Sequence, residues 1–200
     1  MKQKIILAST SPRRKELASA MGLEFEIIPS SYEEDMSLNL APKELVQVLS
    51  YGKAKAVADK LNSGIVIGVD TIVCINDKKL GKPKSNQEAF QMLKNLSGKF
   101  HQVYSGVSII DCKTKKSIKD FEVTKVKFRK MTENEIKAYI QTREPMDKAG
   151  AYGIQGLASI FVEKIEGCYF NVMGFPVHNI YKNLKKLGVN IFEYEKWKGK

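Results

Sequence analysis

Histidine and cysteine are scarce in this chain. Of its 200 residues, two are histidine (His101 and His178) and three are cysteine (Cys74, Cys112 and Cys168). They do not lie at metal-ligand spacings, and an odd number of cysteines argues against a disulfide framework. We therefore expect these side chains to be structural. No Ser/His/Asp order of the kind used by nucleophilic hydrolases is evident either.

Long apolar runs are also missing. No stretch approaches the length of a membrane span, about 20 residues. The apolar segment Ile5–Ala8 follows a basic start, but it is too short for a signal peptide, and Arg13 and Arg14 come soon after it. We expect a cytoplasmic protein without a membrane partner. With 43% hydrophobic and 28% charged residues, the chain should form one domain over residues 1–200.

Acidic residues are too few to balance the basic ones. The formal net charge of +11 is typical of a protein that binds an anion, such as a nucleotide or phosphate. Much of the excess lies in lysine-rich segments at 113–119 and 182–186, which a solvated surface explains. Because no folded nucleic-acid motif and no alternation of aromatic and basic residues occurs, we do not expect a nucleic-acid partner.

Apolar periodicity and turn signals predict a mixed α/β fold, in which helices flank a mixed sheet. Ser85 and Thr132 begin capping boxes, and a turn at 76–79 should return the third strand as a hairpin. Four residues of the second helix should face the core: Leu45, Val48, Leu49 and Ala56. Strands are predicted at 5–8, 24–29, 65–75, 102–111, 117–129 and 160–165, and helices at 12–21, 42–61, 85–96, 132–142 and 176–187.

The first candidate site is Ser9–Arg14, where a strand ends and a helix begins. Pro12 at the first helical position makes Ser11 the N-cap. Helix N-termini favour acidic side chains, yet this one carries Arg13 and Arg14, each at a cost of about 0.3–1 kcal/mol. A bound phosphate would reverse that cost. The alternative is a solvent-exposed basic turn.

The second candidate is Asp70, a lone carboxylate in the apolar strand 65–75. Such a group is costly unless it is paired, hydrogen-bonded or bound to a metal. Strand alternation puts Gly68 on the same face, where it should leave open space beside Asp70. Lys82, just past the hairpin, could bring a cation close. The alternative is a carboxylate tied to backbone N–H groups.

Two further segments complete the set. The acidic cluster Glu33–Asp35 is either solvated or, if it faces Asp70, part of a magnesium or manganese site shared with substrate phosphates. The segment Asp147–Gly156 has three glycines spaced three apart around Lys148 and Gln155. It is either an ordinary Gly-rich turn before a strand or a close approach to a heterocycle and an anion.

Taken together and in order, these segments resemble the Maf family of nucleoside triphosphate pyrophosphatases. Cys168 and Phe175 depart slightly from the family pattern. The stretch 149–156 is similar to the branch acting on dTTP, UTP and modified uridine nucleotides, and differs from the 7-methyl-GTP branch. The matching segments span nearly the whole chain: Ile6–Arg14, Glu34, Lys53–Ala56, Gly68–Thr71, Gly81–Pro83, Pro145–Gly156 and Gly167–Pro176.

The resemblance implies an inosine triphosphatase-like mixed twisted sheet with two lobes around a cleft. It also implies hydrolysis of a nucleoside triphosphate to the monophosphate and pyrophosphate with a divalent cation, Mg²⁺ or Mn²⁺. Asp70 would be the proton acceptor that activates water, and Glu34 with Asp70 would hold the metal. Arg13, Thr71 and Gln155 match positions that tune base choice, and Ser11, Arg14, Glu34, Lys53, Lys82 and Lys148 match polar positions lining the cleft.

A second class of function stays open at this point. The chain could be a non-enzymatic regulator that binds nucleic acid or cell-division partners, in keeping with the family's older name, septum formation inhibitor. That function would explain the charge of +11 without needing Asp70. The oligomeric state is not readable from the sequence, and a homodimer is left open.

Overall fold

The computed structural model describes residues 3–76 and 78–193 as a mixed α/β protein. The fold class predicted from the sequence is therefore confirmed. The strands are Ile5–Leu7 (β1), Phe25–Ile27 (β2), Ile65–Ile75 (β3), Lys78–Leu80 (β4), Phe100–Asp111 (β5), Ser117–Phe128 (β6) and Val162–Glu166 (β7). The helices are Pro12–Ala20 (α1), Pro42–Ala58 (α2), Asn86–Leu96 (α3), Glu133–Gln141 (α4), Tyr169–Val172 (α5) and Val177–Lys186 (α6).

The strands of the described residues form one mixed sheet in the order β2-β1-β3-β5-β6-β7, with β4 paired to β3. Strand β1 runs parallel to both of its neighbours, with Ile5 opposite Phe25 on one side and Ile65 on the other. Strands β4 and β7 run antiparallel to β3 and β6. The hairpin after β3 is confirmed, although Asp77 of its turn lies outside the described residues.

The chain divides into two compact units, and the long strands β3, β5 and β6 each contribute residues to both. The first unit contains the described residues of 1–70, 105–122 and 174–200, and the second contains 71–104 and 123–173. Ile6, Val66 and Val57 belong to the core of the first unit, and Phe128 and Phe161 to that of the second. The predicted cleft between two lobes and the single domain over 1–200 stay predictions.

Local sequence signals account for most helix boundaries. The Ser85 hydroxyl accepts a hydrogen bond from the Glu88 N–H at 3.1 Å, and Thr132 with Glu135 forms a complete capping box. Strand β7 begins at Val162 rather than at 160, because a 3₁₀ helix occupies Leu157–Phe161. Two details of α2 were also wrong. Helix α2 ends at Ala58 rather than 61, and Val48 is 41% exposed, while Val46 is buried in its place. Among the described residues no helix is long and apolar enough to cross a membrane.

Candidate active site

Arg14 lies at the start of α1 and is fixed by backbone and side-chain oxygens. Its Nε donates to the Gly174 carbonyl at 2.9 Å, and its Nη1 donates to Ser9 Oγ at 3.2 Å. Ser11 is the N-cap as predicted, but its hydroxyl makes no capping hydrogen bond. Burial lowers the pKa of Arg14, and attraction to Asp70 and Glu34 opposes that shift. Arg14 therefore belongs to the same charged cluster as these two carboxylates.

Gly68 of β3 is where helix α2 approaches the sheet most closely. A Cβ at this position would collide with the Ser50 carbonyl and with Ala54. The expected open space beside Asp70 is therefore wrong, because the helix backbone fills it. Since side chains alternate along a strand, Asp70 lies on the same face as Gly68. The close approach brings Lys53, which precedes Ala54 in the helix, within reach of Asp70.

Lys53 lies between two carboxylates. Its Nζ is 2.5 Å from Asp70 Oδ1 and 2.6 Å from Glu34 Oε1. The Asp70 side chain is 5% exposed and that of Lys53 is 12% exposed. Within residues 3–76 and 78–193, Asp70 Oδ2 is buried and has no hydrogen-bond partner. The alternative that backbone N–H groups hold Asp70 is therefore not what this structure has: one carboxylate oxygen pairs with Lys53, and the other is buried without a hydrogen-bond partner among the described residues.

The acidic cluster at 33–35 divides between two roles. Glu34 shares the Lys53 ammonium with Asp70, so this loop does face Asp70. Asp35 instead accepts hydrogen bonds from the Ser37 N–H at 2.8 Å and the Ser37 hydroxyl at 2.6 Å, which makes it a local turn residue. Glu33 is exposed. Only one member of the cluster thus contributes to the charged site.

The residues present fit a divalent cation that is shared with substrate. Oxygens of Glu34 and Asp70 converge on one cationic position, which Lys53 Nζ holds, and a second Asp70 oxygen is unsatisfied. Magnesium typically takes one or two carboxylates together with substrate phosphates. In the described part of the chain no group of three or more His, Cys, Asp or Glu side chains could hold a metal by itself. Any bound metal would therefore need ligands beyond these two carboxylates.

Arg13 is partly exposed in α1 of the first unit, whereas four predicted residues lie in the second unit: Thr71, Lys82, Lys148 and Gln155. Thr71 follows Asp70 in β3, and strand alternation turns its side chain to the opposite face. Lys82 is exposed. The Gly150 N–H donates to the Gly81 carbonyl at 3.0 Å, so the Gly-rich segment lies against the residues that flank Lys82. Gly150 has a φ of +68° and packs on Val73, which leaves no room for a side chain.

Lys148 and Gln155 occupy different surroundings within that segment. Lys148 Nζ donates to the Glu144 carbonyl at 2.7 Å and pairs with Asp147 Oδ1 at 2.6 Å. Gln155 is exposed on a turn in which the Gly156 N–H donates to the Gly153 carbonyl at 3.1 Å. The structure thus places Lys148 in a local network and presents Gln155 to solvent.

Four residues around these sites were not assigned a role from the sequence. Ser9 and Gly174 accept hydrogen bonds from Arg14, the Glu144 carbonyl accepts one from Lys148, and the Tyr139 hydroxyl donates to the Glu144 carboxylate. Ser9 lies within the candidate segment Ser9–Arg14. Gly174 is 160 residues from Arg14, and no local pattern predicts such a pairing.

The chain is a mixed α/β protein with paired buried charges, and residues 4–187 match the family described as Maf-like protein. It therefore belongs to the Maf family. It is 56% identical to a dTTP/UTP pyrophosphatase of Alkaliphilus oremlandii over 181 residues, which cover 90% of this chain and 93% of the relative. A protein of the same name from Clostridium tetani is 52% identical over 189 residues, covering 93% of this chain and 98% of the relative.

A similar solved structure is that of the Staphylococcus aureus Ham1 protein. The TM-score is 0.45 and the sequence identity 14%, over 63% of this chain and 72% of that chain.

Proposed function

We propose that this chain hydrolyses dTTP and UTP, and modified uridine nucleotides, to the monophosphate and pyrophosphate. Several relatives that align with more than nine-tenths of their own length carry the name dTTP/UTP pyrophosphatase. The observation that carries the proposal for the chemistry is the buried Asp70. One of its oxygens is held by Lys53, and the other has no hydrogen-bond partner among the described residues.

Asp70 is the general base in this proposal. Its carboxylate takes a proton from water as the water oxygen attacks the α-phosphorus. The bond from that phosphorus to the bridging oxygen breaks, and pyrophosphate leaves. Lys53 keeps the carboxylate oriented through Oδ1. General-base catalysis of this kind contributes about 10²–10⁴-fold to the rate.

Charge balance supports a role for a divalent cation. Arg14 and Lys53 together offset Glu34 and Asp70, so this cluster has no surplus positive charge for a triphosphate. We propose that Glu34 and Asp70 hold Mg²⁺ or Mn²⁺, which would neutralise developing charge on the phosphate oxygens. Ser11, Arg13, Arg14, Lys82 and Lys148 would bind phosphate, and Thr71, Arg13 and Gln155 would select the base.

Pyrophosphate release is the direct test. Wild-type protein with Mg²⁺ or Mn²⁺ should release pyrophosphate, not orthophosphate, from dTTP and UTP in preference to CTP, dATP, GTP and 7-methyl-GTP. Asp70→Asn should reduce kcat by about 10²–10⁴-fold while retaining binding of a non-hydrolysable α,β-methylene analogue. Asp59→Asn, which removes an exposed partner of Lys55, is the control and should retain full activity.

The results distinguish the two classes of function. Unchanged turnover in Asp70→Asn would remove Asp70 from the mechanism. If the wild-type protein releases pyrophosphate from none of these nucleotides, the result would favour the non-enzymatic regulator. The surface charges give that alternative little support, since several lysines pair with carboxylates: Lys55 with Asp59, Lys94 with Glu133, Lys127 with Glu163 and Lys182 with Asp120. A cytoplasmic location accords with nucleoside triphosphate substrates, and a homodimer stays open.

A further inference from the structure

The turn that carries Gln155 is fixed at both of its ends. Gly153 and Gly156 close it by a backbone hydrogen bond of 3.1 Å, and Ile154 between them is 7% exposed. Gln155 follows Ile154 and is exposed. A side-chain amide on a short turn points in a defined direction only if the turn itself is held. The contacts at its ends therefore decide where this amide points.

The first end is held by Tyr139 of α4. The backbone N–H of Gly153 lies near the Tyr139 hydroxyl. The Lys148 side chain covers Gly153 so closely that a Cβ there would collide with it, and Lys148 is itself bound to the Glu144 carbonyl. Gly153 thus packs directly against the lysine stem. Any larger residue would displace the lysine stem.

The second end is held by the Glu144 carboxylate. Oε2 accepts a hydrogen bond from the Leu157 N–H at 3.0 Å, and a Cβ on Gly156 would collide with the same carboxylate. Oε1 accepts a hydrogen bond from the Tyr139 hydroxyl at 3.0 Å. One hydrogen-bonded pair, Tyr139 and Glu144, therefore contacts both ends of the Gln155 turn.

The hydrogen bonds of Tyr139 and Glu144 are suited to holding the turn in place. Tyr139 is 4% exposed, and burial together with the nearby Glu144 charge raises its pKa, so the hydroxyl keeps its proton as a donor. Glu144 uses its two oxygens for two different donors, and hydrogen bonds to a carboxylate are stronger than neutral ones. The capping of α4 by Thr132 and Glu135 holds the helix that carries Tyr139.

We propose that Glu144 and Tyr139 are positioning residues for base selection, which hold the 153–157 turn so that the Gln155 amide meets the pyrimidine edge. The inference rests on the proposed function, because it assumes that Gln155 reads the base. Neither residue needs to contact the nucleotide. Their effect passes through the backbone N–H groups of Gly153 and Leu157.

The test uses Glu144→Ala, Glu144→Gln and Tyr139→Phe in the full-length protein. Tyr139→Phe removes one neutral-to-charged hydrogen bond, and we expect KM for dTTP and UTP to rise about 5–20-fold. Glu144→Ala removes this hydrogen bond and the one to the Leu157 N–H. We therefore expect KM to rise about 10–100-fold, kcat to stay within about 3-fold, and the preference for dTTP and UTP over CTP and GTP to become weaker. Glu144→Gln keeps one acceptor oxygen, so its KM should lie between those of Tyr139→Phe and Glu144→Ala.

Two measurements distinguish a positioning role of Glu144 from an effect on protein stability alone. Amide hydrogen exchange at Leu157 should accelerate about 10-fold or more in Glu144→Ala. In a Gln155→Ala background, the same substitution should have little further effect on nucleotide preference. Glu163→Gln, which breaks an exposed pair with Lys127 in the same unit, is the control and should change neither quantity.

Failure of this inference is distinct from failure of the proposed function. If wild-type protein releases pyrophosphate but the Glu144 and Tyr139 variants keep its KM values and nucleotide ranking, the inference is overturned and the function stands. Faster Leu157 exchange without a change in ranking also overturns it, because the pair is then only structural. If no nucleotide is hydrolysed, the ranking is measured by equilibrium binding of dTTP, UTP, CTP and GTP. An unaltered binding ranking in the variants then overturns the inference.

Discussion

Replacing Lys53 by methionine removes the cation that lies between Asp70 and Glu34. Methionine keeps an unbranched stem of similar length, so packing changes little while the charge is lost. The Asp70 side chain is 5% exposed and would retain a buried negative charge without its closest cation. Glu34 is 46% exposed, and water can solvate it. The cost therefore falls mainly on Asp70.

The expected magnitude follows from the burial of the pair. Removing one partner of a buried ion pair costs about 3–5 kcal/mol. Attraction between Arg14 and Asp70 remains, which places the expected loss at the low end, about 3 kcal/mol. For a chain of this size, that loss corresponds to a fall in Tm of about 6–12 °C.

A double-mutant cycle with urea denaturation measures this directly. Lys53→Met should lower the free energy of unfolding by about 3 kcal/mol, and Lys53→Met with Asp70→Asn should recover about 2 kcal/mol of it, because a neutral amide needs no counter-charge. Magnesium without nucleotide should bind the single variant more tightly than wild type, as measured by calorimetry, since the ammonium no longer competes for the carboxylates. If Lys53→Met unfolds like wild type and the double variant is no more stable than the single one, the reasoning about the buried charge is wrong.

Two further predictions concern packing and pH. Gly68→Ala should destabilise the protein by about 1–3 kcal/mol and weaken Mg²⁺ binding, because its Cβ pushes α2 and Lys53 away from β3; normal stability in urea would contradict that packing. Burial lowers the pKa of His101 to about 4, so its stabilising contribution is complete above the ordinary pKa of 6.5 and falls as the pH drops towards 4. Between about pH 7.5 and pH 5 this loss is about 2 kcal/mol of unfolding free energy. His101→Phe should abolish that part of the pH dependence, and His178→Asn, which changes an exposed histidine, should keep it. If urea titrations give both variants the same dependence of unfolding free energy on pH, the assignment to His101 is wrong.

The sequence alone determined the features that depend on neighbours within a few residues. The Thr132 capping box forms as predicted, and at Ser85 only the hydroxyl half of the box forms, because the Glu88 carboxylate accepts from the Lys84 N–H instead. The bounds of β3 are also as predicted, because its apolar run from Ile65 to Ile75 has no competing interpretation. The ordered motifs carried the resemblance to the Maf family, which the family match over residues 4–187 confirms.

Only the tertiary structure decided what surrounds the catalytic candidate. Gly68 was expected to leave open space, but helix α2 packs against it. The sequence pattern of a strand does not reveal which element packs on it. The acidic cluster offered three carboxylates of equal chemistry, and the path of the loop selected Glu34 for the site and Asp35 for a turn. The pairing of Lys53 with Asp70 links a helix to a strand 17 residues later.

The contacts that hold the Gln155 turn could not be predicted from the sequence either. Glu144 and Leu157 are 13 residues apart, and their hydrogen bond exists because α4, a short 3₁₀ turn and the Gly-rich segment fold back on one another. Composition and periodicity determine which segments become helices and strands, because these depend on local backbone geometry and the burial of apolar faces. Which charged and polar side chains meet is decided by long-range packing, where a single glycine determines how closely two elements approach.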